Sequence, residues 1–300
     1  MIVSIGEPMV EFNQVEERRY LQGYGGDTSN MIIAAARSGA STAYITRVGD
    51  DEFGRMFLEL WKREGVDTRW VIVDRDAPTA AYFVTHGPQG HVFSYLRKHS
   101  AASRLQPADV SDLSTAAYVH ASGISMAISQ SACDAVFAAF ESAQAKIAFD
   151  ANLRLRLWPL ERAAAMIAKA AGMADYFFPS IEDARQLSGA ASPEENLAWA
   201  HEVGAKTVFL KLGSDGVIVS DGKCRERLPG FPVEALDATG AGDCFCGTTL
   251  ARLAAGDSIW EAARYANAAA ALATTGYGAV DPLPRPEAVR KLLFSRHVGS

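Results

Sequence analysis

The stretch DATGAGDCFCG, residues 237–247, sets three glycines and two aspartates in a turn that runs straight into an apolar segment. Small residues ahead of a helix would leave the backbone N–H groups of Gly240, Ala241, Gly242 and Asp243 aimed at one spot, at the positive end of the helix dipole. An anion binds there without further machinery. A carboxylate at Asp243, beside such an anion hole, is electrostatically odd unless its purpose is to take a proton. A base next to a phosphate site is what phosphoryl transfer uses. The alternative is purely structural, a glycine-rich turn capped by an aspartate. Other phosphate devices are absent: no G-x-x-x-x-G-K-[ST] occurs, and Gly6 is not followed by G-x-G-x-x-G.

Such a motif needs a scaffold that brings strand ends to one place. Short β-branched runs recur as MIVSIG, TAYITRVG, AAYVHASG, AKIAFDAN, DYFFPS and KTVFLKLG, separated by helical patterns at 31–38, 53–64, 129–143 and 160–171. That alternation predicts an α/β fold, a mostly parallel sheet between helices, with ligands at the carboxyl ends of the strands. Residues 10–24 and 71–98 break the rhythm and read as alternating strands, the second with a hairpin about 87–90. They are expected to form a small β-sheet lid over a single domain spanning residues 1–300. Ser258 and Glu261 have capping-box spacing, after Gly256 closes the preceding helix.

Composition narrows the partners. The 300 residues are 49% hydrophobic and 21% charged, an ordinary globular balance. The net charge of -6 is diffuse, so no electrostatic footprint points to nucleic acid or an anionic membrane. Small molecules are the expected partners. The N-terminal MIVSIGEPMV has no basic region and no long apolar core, and a cytoplasmic protein is expected. Four cysteines, Cys133, Cys224, Cys244 and Cys246, are too scattered for a disulfide framework and read as reduced thiols.

The 237–247 motif resembles the carboxy-terminal signature of the ribokinase-like (PfkB) carbohydrate kinases, close to D-T-x-G-A-G-D, with Ala238 where threonine is frequent. GGDTSN at 25–30 resembles that family's substrate-binding G-G-x-x-x-N, and RVGDDEFG at 47–54 its amino-terminal signature. The resemblance implies a ribokinase-like three-layer core with a β lid, phosphorylation of a sugar hydroxyl from ATP with Mg²⁺, Asp243 as base, and Gly240, Ala241 and Gly242 stabilising the transferred group. It also implies nucleotide contacts from Lys211, Gly213 and Gly216 in KLGSDG and from Asn267. Gly213 and Gly216 could equally be hairpin-turn residues, and Asn267 a helix-packing one. The family's N-x-x-E element falls in FPSIEDA, where Ser180 and Asp183 replace asparagine and glutamate. A hydroxyl and a shorter carboxylate still offer oxygens to hydrated Mg²⁺, Asp183 acting through water.

For the acceptor, Tyr95 and Arg97 in YLRKHSAAS share a strand face by period two, and Arg154 follows a strand in FDANLRLRLW. Two arginines aimed at a pocket favour a substrate with its own carboxylate. With Tyr82 in PTAAYF, this set resembles the 2-keto-3-deoxygluconate kinases within the family. Gly26, Asn30, Tyr82, Tyr95, Arg97 and Arg154 would then hold that acidic sugar. A kinase of another sugar, whether a neutral one such as fructose or ribose or another sugar acid, and a non-catalytic sugar- and nucleotide-binding regulator are the alternatives. A homo-oligomer is expected, because exposed lid edges need covering. Taken as an exposed carboxylate with an ordinary pKa of about 4, Asp243 would be ionised at pH 7.

Overall fold

The computed structural model describes residues 1–87, 90–110 and 112–295. The chain starts with β1 (Ile2–Ile5), leaves the core for β2 (Met9–Glu16) and β3 (Arg19–Gly25), and returns through α1 (Asp27–Arg37) to β4 (Thr42–Gly49). Then come α2 (Glu52–Glu64), β5 (Val66–Asp67), β6 (Val71–Asp74), and a second excursion, β7 (Ala80–Gly87) and β8 (Gly90–Leu96). Strands β9 (Tyr118–Ser122), β10 (Lys146–Asp150), β11 (Tyr176–Phe177) and β12 (Thr207–Lys211) alternate with α3 (Gly123–Ala127), α4 (Gln130–Ser142), α5 (Leu160–Met173), α6 (Ile181–Ser188) and α7 (Pro193–Glu202). A hairpin, β13 (Val217–Ser220) and β14 (Arg225–Leu228), precedes α8 (Ala241–Ala254), α9 (Ile259–Ala273) and α10 (Pro286–Ser295).

The large sheet has the order β14-β13-β12-β11-β10-β9-β1-β4-β5 and is parallel except for β13 and β14. Its central strands are mainly apolar because helices cover both faces, and every residue of β1 is buried, Ser4 included. Two buried clusters result. One, with Phe149, Phe177 and Ile167, lies under α4 and α5; the other, with Phe178, Phe209 and Phe245, lies under α1, α8 and α9. Local signals set the helix ends: the Asp51 carboxylate accepts Gly54 N–H at 2.8 Å to start α2, and Ser258 and Glu261 form the capping box of α9.

The small sheet has the order β3-β2-β7-β8, with β2 and β7 parallel. Phe12 stacks on Phe83 at 5.0 Å and meets Phe53 of α2 edge-on at 5.8 Å, which seats the sheet on the core. One segment assigned to the lid from the sequence belongs elsewhere. Val71–Asp74 pairs with β4 in the large sheet, since its apolar side chains have a strand edge to join there. In the 87–90 hairpin Gly87 pairs with Gly90, and residues 88 and 89 lie outside the described residues. Among the described residues no helix is long and apolar enough to cross a membrane.

Candidate active site

Helix α8 begins at Gly240, whose φ of 76° is left-handed and whose added Cβ would fall 2.9 Å from the Ala279 carbonyl. A glycine lets the chain turn sharply there. Gly240, Ala241, Gly242 and Asp243 are all half-buried on this first turn. The third glycine of the motif does something else. A Cβ on Gly247 would lie 2.1 Å from the Met31 carbonyl, so its absence lets α8 lie against α1. That approach brings Asn30 Nδ2 to donate to Asp243 Oδ2 at 2.9 Å.

The Asp243 carboxyl differs from the sequence expectation. Burial, then the charge of Asp27, push its pKa up to about 7; Asp150 adds to the rise, while Asn30 and Lys211 oppose it. It is a half-buried acid with a raised pKa rather than an exposed carboxylate near 4, because burial penalises its charge and Asp27 and Asp150 stand close by.

Beneath the same turn, Lys211 at the end of β12 reaches Asp150 at the end of β10, with Nζ 2.8 and 3.0 Å from the two carboxylate oxygens. A Cβ on Gly242 would sit 3.4 Å from Lys211 Nζ, so the ammonium lies directly under the anion hole. Burial works against the Lys211 charge, but Asp150 more than offsets it, and its pKa lies above the ordinary lysine value. Cys246 Sγ donates to Asp150 Oδ2 at 3.3 Å, and the Cys246 thiol stays protonated in this burial.

Ser180 bridges Lys211 in parallel β fashion, which carries FPSIEDA to this place. The Ser180 hydroxyl caps α6 by accepting Asp183 N–H at 3.0 Å. Burial and the neighbouring Asp150 raise the Asp183 pKa, while Lys211 and Arg154 pull it down. Among the described residues no three His, Cys, Asp or Glu side chains are grouped closely enough to hold a metal ion. Gly213 and Gly216 make the turn of the β12–β13 hairpin, Gly216 packed against the Leu228 carbonyl and Gly213 facing open space. Asn267 donates to Pro229 O at 2.9 Å and so holds the loop after β14.

On the lid side, Tyr82 is buried and its hydroxyl donates to Glu11, with the Tyr95 ring 6.0 Å away. Tyr95 is 41% exposed. Arg97 lies 5.7 Å over the Tyr95 ring, and its Nη2 donates to the buried Glu7, which also accepts Ser100 Oγ at 2.9 Å. The two arginines therefore differ. Arg97 already has a carboxylate partner; Arg154 is exposed, donates to Leu153 O at 2.9 Å, and forms no ion pair among the described residues. Gly26 opens α1 at the other wall, with φ 93°.

Four acidic residues of the site were not singled out from the sequence: Glu7, Glu11, Asp27 and Asp150. Three of them stand where strands end or helices begin, the signal that marks ligand sites in parallel sheets. A cleft of about 460 Å³ opens between the lid and the α8 entry loop, lined by Glu11, Tyr24, Thr239, Tyr277 and Ala279. Asp237 holds that loop by accepting Thr239 N–H at 2.9 Å and Gly278 N–H at 2.9 Å.

The model of the pfkB family carbohydrate kinases matches residues 1–286. The chain is 36% identical to a 2-dehydro-3-deoxygluconokinase of Thermoproteus tenax, over 97% of this chain and 94% of that one. It is 32% identical to fructokinase-2 of Oryza sativa subsp. japonica, over 98% and 94%. A fructokinase from Xylella fastidiosa, solved with bound ATP, superimposes with a TM-score of 0.92 at 27% identity, covering 99% of this chain and 98% of that one.

Proposed function

Because the chain belongs to the PfkB family of carbohydrate kinases, we propose that it phosphorylates the 6-hydroxyl of 2-keto-3-deoxygluconate from ATP, giving 2-keto-3-deoxy-6-phosphogluconate and ADP. The observation that carries the kinase chemistry is the half-buried Asp243, with its raised pKa, at the first turn of α8. Asp243 takes the hydroxyl proton as the new O–P bond forms and the bond from the γ-phosphorus to the bridging oxygen breaks. The N–H groups of Gly240 and Gly242 receive the oxygens of the transferred group, the Ala241 N–H donating instead to Ala238 O at 3.2 Å, and Lys211 supplies positive charge below them. A base whose pKa lies near the working pH is in the efficient range for proton transfer.

PfkB kinases use ATP and a divalent metal. The residues fit a Mg²⁺ carried by the nucleotide rather than caged by protein. Mg²⁺ keeps several waters and takes one or two carboxylates plus phosphates, and Asp183 and Asp150 are the carboxylates near Lys211 that would hold it through water. It would supply neutralisation of the phosphate charge.

Arg154, exposed and outside any ion pair, is the cation available for the sugar's carboxylate. ADP release from a panel of acidic and neutral sugars, with wild type and Arg154→Ala, tests this. The variant is expected to lose about 10-fold to 150-fold in kcat/KM on 2-keto-3-deoxygluconate, the worth of one charge-assisted pair, and far less on an analogue reduced at the carboxylate. Equal loss on both, or a wild-type preference for fructose, returns the acceptor to the neutral class. That second reading draws on Arg97, whose charge is taken by Glu7, and on the fructokinase relatives.

A further inference from the structure

We propose that Arg37 is a positioning residue for phosphoryl transfer: anchored on Glu64, its guanidinium holds the backbone of residues 280–283 and, through it, the left-handed turn at Gly240 that aims the anion hole. The inference rests on the kinase reading and adds to it a residue that stands behind the site rather than in it.

Arg37 closes the last turn of α1, about two turns after Asn30 and on the same face of the helix. Its side chain is only 10% exposed, and that of Glu64, at the end of α2, only 5%. Nε and Nη2 donate to the two Glu64 oxygens at 3.0 and 2.9 Å, a bidentate fork, while Nη1 donates to Val280 O and Leu283 O, both at 2.8 Å, and lies 3.4 Å from Asp281 O. Nearly all of the guanidinium's donors are spent on these partners. The Arg37 charge in turn holds the Glu64 carboxyl below its ordinary pKa, against the effect of burial.

Residues 276–285 join α9 to α10 without regular structure, so no strand ladder or helix fixes their course. Val280 and Leu283 are buried all the same. Buried carbonyls need donors, and one charged group serves this turn. The same segment backs the entry to α8. Gly278 N–H donates to Asp237 Oδ2 at 2.9 Å, and Ala279 lies so close to Gly240 that an added Cβ would fall 2.9 Å from its carbonyl oxygen and 3.1 Å from its Cβ. Gly240 therefore keeps its φ of 76° against a wall that Arg37 holds from behind. Helix α1 reaches the site twice, with Asn30 on the base and Arg37 behind the donors. A shift of that wall moves the Gly240 and Gly242 N–H groups relative to the transferred group, and a misplacement of about 1 Å can cost about 10²-fold in rate. Lysine is no substitute, because an ammonium has no planar fork to meet a carboxylate and two carbonyls together.

The test is steady-state kinetics at saturating Mg-ATP, well below the melting temperature, on the best acceptor of the panel. It compares wild type, Arg37→Met and Arg37→Lys with Arg285→Gln, a control that removes a mostly exposed partner of Glu64 at 3.6 Å without touching the 280–283 carbonyls. Both Arg37 variants are expected to lose about 10-fold to 100-fold in kcat with acceptor KM within about threefold, while Arg285→Gln keeps wild-type kcat. The pH midpoint of kcat should stay at the wild-type value, since Arg37 acts on the donors and not on Asp243. Should Arg37→Met fail to fold, Arg37→Met combined with Glu64→Met replaces the buried pair as a unit and removes the same carbonyl contacts; its kcat should fall alike. Folded Arg37 variants with kcat within about threefold of wild type, a loss carried by acceptor KM, a shifted pH midpoint, or an equal loss in Arg285→Gln would each overturn the assignment. A wild type that phosphorylates no sugar at all would overturn the kinase reading, and this inference with it.

Discussion

An aspartate that must be ionised to work is held where ionisation is costly. Activity and stability should then depend on pH in opposite senses. Activity needs the Asp243 anion and is expected to rise as pH passes upward through about 7. For stability, the folded pKa lies above the unfolded carboxylate value of about 4, so between roughly pH 4 and 7 the native state binds more protons than the unfolded one. The contribution of Asp243 is thus most favourable at the acid end of that window and is lost as pH rises through it. Glu7, Glu11, Asp27 and Asp183 are shifted in the same direction and add to the trend. Asp243→Asn removes the buried charge with little change of shape. It is expected to cut kcat by about 10²-fold to 10⁴-fold and to raise the melting temperature at pH 8 more than at pH 5. A folded variant retaining a third of wild-type kcat would dismiss Asp243 as the base. A melting-temperature difference independent of pH would dismiss its shifted titration.

Between elements, the contact that matters most is α1 on α8. It exists because Gly247 has no side chain, and it sets Asn30 against Asp243. Gly247→Ala would drive a methyl group to within 2.1 Å of the Met31 carbonyl, and the helices must separate. Overpacking of this kind costs about 1–3 kcal/mol. The expected result is a lower melting temperature together with a fall in kcat, since the Asn30 bond to the base lengthens. If kcat held while stability fell, the helix contact would be structural only. The strand pair β10 and β12 works differently, through charge. Asp150 and Lys211 meet across the end of β11, and the Asp150 carboxylate keeps the buried Lys211 ammonium charged against its burial.

For the molecule as a whole, the two sheets meet over the ends of the parallel strands, with the small sheet seated by Phe12, Phe83 and Phe53. A nucleotide that binds only the folded chain stabilises it by mass action, about 2.7 kcal/mol at a hundred times its Kd. Mg-ATP is therefore expected to raise the melting temperature by several degrees, measured by scanning calorimetry. ATP in excess chelator should raise it less, because the phosphate charge would face Asp150, Asp183 and Asp243 unneutralised. Equal shifts with and without Mg²⁺ would remove the metal from nucleotide binding.

Local patterns, readable one segment at a time, determined much of this protein. The strand–helix alternation, the capping box at Ser258 and Glu261, and the small-residue turn before α8 follow from hydrophobic period and from what glycine permits. So did the identity of Asp243 as the candidate base, because an acid beside an anion hole is conspicuous in one dimension. What the tertiary structure alone decided was pairing. Arg97 and Arg154 look alike as sequence, yet one is taken by Glu7 and the other is left outside any ion pair among the described residues. Val71–Asp74 has the composition of a lid strand and joins the large sheet, since strand pairing depends on which edge lies near. The acidity of Asp243 is likewise non-local. Asp27 and Asp150 come from distant parts of the chain, and only folding brings their charges, and the loss of water, to one carboxyl group.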